Sequence, residues 1–230
     1  MKAALNGQPI LVGVVDSGVA AGGPPGIVAM RAFAPDDGQG VRSSEPGEDL
    51  LGHGSRIAGL LLEQGGDIGL LVAQVFAATQ TSSPQRVAAA IAWLVASGAA
   101  LINMSVGVRR ADAGLRLACE RASAAGVILV ASAPAQGAPV FPAAHPQCIA
   151  VSGDARCAEA EISWLDGANA DFGAHPFASA GDARSGGASY AAARLSARIA
   201  RLLSQGTAPH AIRPALRAQC RYHGPERRSA

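Results

Sequence analysis

The run Ile10-Leu11-Val12-Gly13-Val14-Val15-Asp16-Ser17-Gly18 decides the fold class. Its apolar residues do not alternate with polar ones, so the segment reads as a strand covered on both faces, the habit of parallel sheets sandwiched between helices. Further strand patterns are expected over residues 70–76, 101–105, 127–131 and 148–151. Between and after them, helical patterns fall over 53–62, 84–97, 112–125, 189–203 and 209–218. In the second of these, Val87, Ile91, Leu94 and Val95 recur at i, i+4, i+7 and i+8, one apolar stripe for packing on a sheet. The alternation predicts an α/β fold with a mostly parallel sheet, helices on both faces and active groups at the carboxyl ends of the strands.

Asp16 stands at such an end, where the first strand runs out into a loop. Two other segments carry matching chemistry: Gly52-His53-Gly54-Ser55-Arg56-Ile57-Ala58-Gly59, and Ser189, which follows Gly186-Gly187-Ala188 at the head of an Ala-rich helical stretch. Both read as loop-to-helix junctions. A serine hydroxyl becomes a useful nucleophile when a neutral imidazole takes its proton. The imidazole in turn needs a carboxylate to fix its tautomer and stabilise its charged form. Each residue alone has a plain structural reading: Asp16 as a turn cap, His53 as a helix-opening surface residue, Ser189 as an N-cap. The three together, in the order Asp, His, Ser, point to nucleophilic catalysis.

The three segments resemble the signatures of the subtilisin-like serine peptidases, in which the Asp segment reads about V-x-D-[ST]-G, the His segment H-G-T-x-V-A-G and the Ser segment G-T-S-x-A-x-P. The resemblance implies the three-layer subtilisin-like fold over one domain, 1–230, with Ser189 as nucleophile, His53 as general base and then acid, and Asp16 as the group that orients His53. Leu101-Ile102-Asn103-Met104-Ser105-Val106-Gly107 resembles the family strand that pairs with an extended peptide, which implies substrate contacts at Ser105, Val106 and Gly107. The stretch 126–133, ending in Ala131-Ser132-Ala133, and the later Phe141-Pro142-Ala143 resemble the walls of the primary specificity pocket. Val140, just before them, would narrow that pocket; its other reading is core packing.

The departures from the family pattern carry expectations of their own. Where the family has A-G-N-x-G, with the Asn donating to the tetrahedral oxyanion, this chain has Ala133-Pro134-Ala135-Gln136-Gly137. Alanine has no side-chain donor. Loss of that Asn costs subtilisin roughly 2.7–4 kcal/mol of transition-state stabilisation. The oxyanion would then depend on the backbone N–H of Ser189, with Gln136 as a candidate substitute. Ala188 replaces the family Thr and Ala193 the family Pro.

Composition narrows the function classes. With 49% hydrophobic residues in 230, the chain has material for a full core, and its net charge of +2 is too small to argue for nucleic acid. No stretch reaches the roughly 18 apolar residues of a membrane span. Neither G-x-x-x-x-G-K-[ST] nor G-x-G-x-x-G follows the first strand, which excludes the common phosphate-binding loops. Cys119, Cys148, Cys157 and Cys220 lack metal-ligand spacing, as do His145, His175, His210 and His223; free thiols and no cofactor or metal are expected. Glu45, Glu48 and Asp49 ahead of His53 read as a solvated acidic loop, or as a bias toward basic peptide residues. The arginines from Arg194 to Arg228 read as a solvated helix face.

Met1 to Gln8 lacks a charged segment, apolar run and cleavage site, so a cytoplasmic enzyme without an inhibitory pro-segment is expected. A compact intracellular peptidase of this kind suits processing better than digestion. The chain also resembles the subtilisin-like protease that removes a leader peptide during biogenesis of quinohemoprotein amine dehydrogenase, which implies as partner the precursor polypeptide of that enzyme's small γ subunit. The opposing expectation, favoured by Ala135, is a weakly catalytic scaffold that binds a peptide without cutting it.

Overall fold

A computed structural model of the protein describes residues 8–36, 40–178 and 186–226. The strand read from the opening run is β1, Ile10–Asp16, and it lies inside the sheet between β4 (Ile68–Gln74) and β5 (Leu101–Met104), parallel to both. β6 (Ile128–Ser132) and β7 (Cys148–Gly153) extend the parallel array beyond β5. These five strands correspond to the five expected, shifted by no more than two residues at any end. Their backbone partners lie on both sides and their side chains are almost wholly buried, as unbroken apolar runs require.

The sheet has ten strands in the order β10, β8, β9, β7, β6, β5, β1, β4, β2, β3. The remaining five are β2 (Ile27–Pro35), β3 (Val41–Ser44), β8 (Ile162–Trp164), β9 (Phe172–Ala174) and β10 (Tyr222–His223). Sequence reading leaves all five in loops. Three of them are two or three residues long, too short for a period, and β2 is half exposed with no clean alternation. β3 and β8 pair antiparallel to β2 and β9, so the sheet is mixed toward its edges.

Alternate residues of β1 feed two cores. Val12 and Val14 pack with α1 (His53–Gln64) and α4 (Ala188–Ser204) on one face, and Val15 packs with α2 (Pro84–Ala96) and α3 (Ala113–Ala124) on the other. A 3-10 turn at Pro209–Ala211 leads into α5, Ile212–Ala218, which joins the first of these cores. α4 is the most enclosed helix. Ala191, Ala192, Ala193, Ala197 and Ala200 are all fully buried, because small residues let its backbone approach the sheet closely. Arg194 departs from the expected solvated face: its residue exposure is 5%.

Fully buried Leu195 therefore tests the packing of α4, and Leu117, 41% exposed on α3, supplies the contrast. Leu195→Ala is expected to cost about 2–5 kcal/mol in urea unfolding and Leu117→Ala about 0.5 kcal/mol or less.

Candidate active site

The carboxyl end of β1 delivers Asp16 to a fully buried position beneath the first turn of α1. Asp16 Oδ1 accepts from the Ser17 N–H at 2.7 Å and lies 2.7 Å from His53 Nδ1. A carboxylate oxygen can only accept, so Nδ1 carries the proton and Nε2 is left as the acceptor that a general base needs. Asp16 Oδ2 is buried with no hydrogen-bond partner among the described residues. A buried carboxylate satisfied mainly from one side gains most when the neighbouring imidazole becomes positive, as it does in the transition state of acyl transfer.

His53 reaches this place because α1 begins against the loop that follows β1. A Cβ on Gly54 would collide with the Gly18 carbonyl oxygen, so only glycine permits this approach. The junction is tied by Asp49. Its Oδ1 accepts from Ser17 Oγ at 2.7 Å and from the Gly52 N–H at 2.9 Å, while its Oδ2 accepts from the Ser55 N–H at 2.9 Å and Ser55 Oγ at 2.6 Å. Ser17 Oγ also accepts from the Gly54 N–H at 2.9 Å. Burial alone would raise the Asp49 pKa, but the hydrogen bonds from Ser55, Ser17 and Gly52 outweigh it and hold the carboxyl below its ordinary range. Gln74, at the end of β4, donates to the Ser17 carbonyl at 2.8 Å and accepts from the Gly47 N–H at 2.8 Å, clamping the acidic loop to the same junction. Asp49 is therefore a structural anion here rather than part of a solvated run.

Ser189 occupies the first turn of α4, where backbone N–H groups have no partner within the helix. It lines a cleft of about 460 Å³ together with His53, Arg56, Ser105, Ser132 and Tyr190. The structure thus brings the three sequence-predicted catalytic residues to one place. Ser196, one helical stretch below Ser189, donates to Asn103 Oδ1 at 3.0 Å, and Asn103 Nδ2 donates to Ser105 Oγ at 3.3 Å. This chain of polar groups links the helix of Ser189 to the edge on which Ser105 sits.

The other expected site residues divide. Ser105, Gly107 and Ser132 line the cleft, whereas Val106, Ala131 and Ala133 are buried in the core behind it. The backbones of 108 and 141 pair through two hydrogen bonds of 2.8 Å, and this sets Val140 against Gly107: a Cβ added there would meet Val140 Cγ2 at 3.2 Å. Gln136 does not join Ser189. It is exposed and, with Ala135, lines a separate and larger cavity of about 740 Å³ beside Asp154 and Glu226. It stands on the bend at residues 135–138, and neither it nor Ala135 is among the described residues that line the cleft of Ser189. Neither Glu45, Glu48 nor Asp49 lines the cleft. The described thiols also stand apart from it, and burial raises that of Cys157 to about 11.

Sequence reasoning missed Arg56 and Tyr190 as cleft residues. Arg56 Nε donates to Tyr190 Oη at 3.0 Å, and the Tyr190 ring lies edge-on to His53 with centroids 6.0 Å apart. Arg56 follows His53 by three residues, one helical turn, so a charge at that spacing was the available signal. The aromatic directly after Ser189 was the other.

The chain belongs to the subtilase family. The family model matches residues 7–223, nearly the whole chain. Among curated proteins it is similar to a thermostable alkaline protease of Halalkalibacterium halodurans, 31% identical over 55% of this chain and 36% of that protein. It is also similar to a subtilisin of Bacillus pumilus, 24% identical over 63% of this chain and 56% of that protein. A subtilisin-like protease het-Q2 of Podospora anserina is 32% identical over 52% of this chain and 36% of that protein. The matched segments thus span from about a third to just over half of these relatives. Among the described residues, no helix is long and apolar enough to cross a membrane.

Two outcomes follow from the junction of β1 and α1. Gly54→Ala should displace the start of α1 and lower kcat at least about tenfold, with KM less affected, in a peptide-cleavage assay. Asp49→Asn should lower stability by about 0.5–2 kcal/mol at neutral pH, the range for lost helix-start bonds. Because the folded pKa of Asp49 is depressed, its contribution is present above the ordinary value of about 3.9 and lost as pH falls through the folded value. Urea unfolding at several pH values should therefore show the two proteins converging only below about pH 4.

Proposed function

We propose that the chain is a serine endopeptidase that processes one polypeptide precursor inside the cell, probing a single extended site rather than digesting proteins at large. The observation that carries the reading is the 2.7 Å pair of Asp16 and His53 with Ser189 in the same cleft. In the proposed reaction Ser189 Oγ attacks the scissile carbonyl carbon as His53 Nε2 takes its proton. The tetrahedral oxyanion collapses, the C–N bond breaks and His53 returns the proton to the leaving amine. Water then repeats the sequence against the acyl-enzyme and restores Ser189.

Two features support narrow specificity. Val140, packed against Gly107, leaves a small space where the family pocket would lie, which favours a small residue before the scissile bond. The oxyanion has the Ser189 N–H and the positive end of α4, but no side-chain donor at Ala135 and none from Gln136. An enzyme lacking roughly 2.7–4 kcal/mol of built-in stabilisation recovers part of it from remote contacts with a proper substrate, and general substrates lack those contacts. The resemblance to the leader-removing protease suggests the precursor of the small γ subunit of quinohemoprotein amine dehydrogenase as that substrate, cut in the cytoplasm to release its leader. The same missing donor favours a second reading, a scaffold that holds an extended peptide without cutting it.

A fluorophosphonate probe should label Ser189, and Ser189→Ala should abolish labelling and cleavage. Cleavage of the precursor that survives in Ser189→Ala would overturn the assignment, and absent labelling of a folded protein would favour the scaffold. Digested side by side and read by mass spectrometry, the γ-subunit precursor should yield one cut while unfolded casein stays nearly intact; rapid many-site cutting of casein would overturn the processing role.

A further inference from the structure

Among the described residues that line the cleft, the one fixed charge is positive. The described lining consists of His53, small and polar groups, Phe76, Tyr190 and Arg56. Arg56 has no carboxylate within ion-pair distance among the described residues, although other arginines there form ion pairs, as Arg156 does with Asp154 and Arg213 with Asp171. Its Nε is fixed by the Tyr190 hydroxyl at 3.0 Å. That bond orients the planar guanidinium while its remaining four N–H donors make no hydrogen bond among the described residues. An arginine held by one edge and open along the other is prepared for a carboxylate.

The acidic residues that precede His53 in sequence do not balance this charge. Asp49 is engaged with Ser17, Gly52 and Ser55, and the side chains of Glu45 and Glu48 are exposed and lie off the cleft lining. The described lining therefore gives no support to the alternative of a bias toward basic peptide residues. Position within the cleft follows from chemistry. His53 delivers its proton to the leaving amine, and Arg56 stands one turn along the same helix, bonded to the residue after the nucleophile. Ser105 and Gly107 line the same cleft from a different element, the end of β5.

We propose that Arg56, oriented by Tyr190, is a specificity-determining residue that receives an Asp or Glu side chain of the substrate on the leaving-group side of the scissile bond. This deepens the peptidase reading and rests on it for the direction of the peptide. Arg56 is exposed to solvent, so the effect is that of a screened ion pair, about three- to tenfold, and not the larger effect of a buried one.

The test uses internally quenched Ala-rich octapeptides that differ only in carrying Glu, Gln or Lys directly after the scissile Ala. The wild-type full chain should cleave the Glu peptide with a kcat/KM about three- to tenfold above the Gln peptide, with Lys lowest, and the difference should shrink in high salt. Arg56→Glu should reverse the order, Arg56→Lys should keep it, and Tyr190→Phe should weaken it without reversal. The same peptides are also titrated by fluorescence anisotropy against Ser189→Ala, alone and combined with Arg56→Glu. Charge-selective binding without cleavage in the wild type, together with absent fluorophosphonate labelling of Ser189, would support the subsite and overturn the peptidase reading. Equal handling of Glu, Gln and Lys in both assays, or a Glu preference that survives Arg56→Glu, would overturn the subsite.

Discussion

The site depends on the contact between the end of β1 and the start of α1, where Gly54 meets the Gly18 carbonyl without a side chain between them. Two backbones at that distance leave no room for adjustment, so the imidazole of His53 and the carboxylate of Asp16 are set relative to each other by main-chain geometry. Asp49, Ser17 and Ser55 then make the arrangement rigid, because each bond satisfies a group that would otherwise be left unpaired at a partly buried helix start. Pre-organisation of this kind is worth more to catalysis than the modest stability it adds, since the reacting groups need no reordering when the substrate arrives.

The second half of the site is carried by α4. Its alanines bring the helix down onto β5, β6 and β7, and Ser196 reaches Asn103, which reaches Ser105. The nucleophile's helix and the edge expected to hold the substrate backbone are thus parts of one packed unit. A substitution in the helix that altered its height on the sheet would move both together. Cavity-forming changes beneath α4 would therefore affect activity through geometry as well as stability.

Electrostatics and shape together argue for a selective cleft. On the proposed reading the oxyanion is supported from the backbone; Val140 packs beside Gly107, and the fixed charge on the described lining is Arg56. Each of these leaves more of the transition-state stabilisation to be supplied by substrate contacts away from the reacting carbonyl. A small residue before the scissile bond and an acidic one after it would satisfy the two walls.

The central strands, the helices and the catalytic trio were legible in the sequence because each has a local cause: unbroken apolar runs for Ile10–Asp16 and its parallel neighbours, a helical stripe for α2, and glycine-flanked chemistry around His53 and Ser189. The edge strands were not, since two- and three-residue segments such as Tyr222–His223 acquire their conformation from a neighbour's hydrogen bonds and have no period of their own. Gln136 shows the same limit at the site: its type suited an oxyanion donor, but it stands on an exposed bend that lines another cavity. Asp49 read as one charge in an acidic run, and only the folded chain gathers Ser17, Ser55 and Gly52 around it. The sequence by itself determined the central strands, the helices and the candidate reacting groups, because composition and periodicity act locally. The tertiary structure decided the place of Gln136, the burial of Val106 and the lack of a carboxylate partner for Arg56 among the described residues, because position and partnership depend on residues far apart in the chain that meet only when the sheet and helices pack.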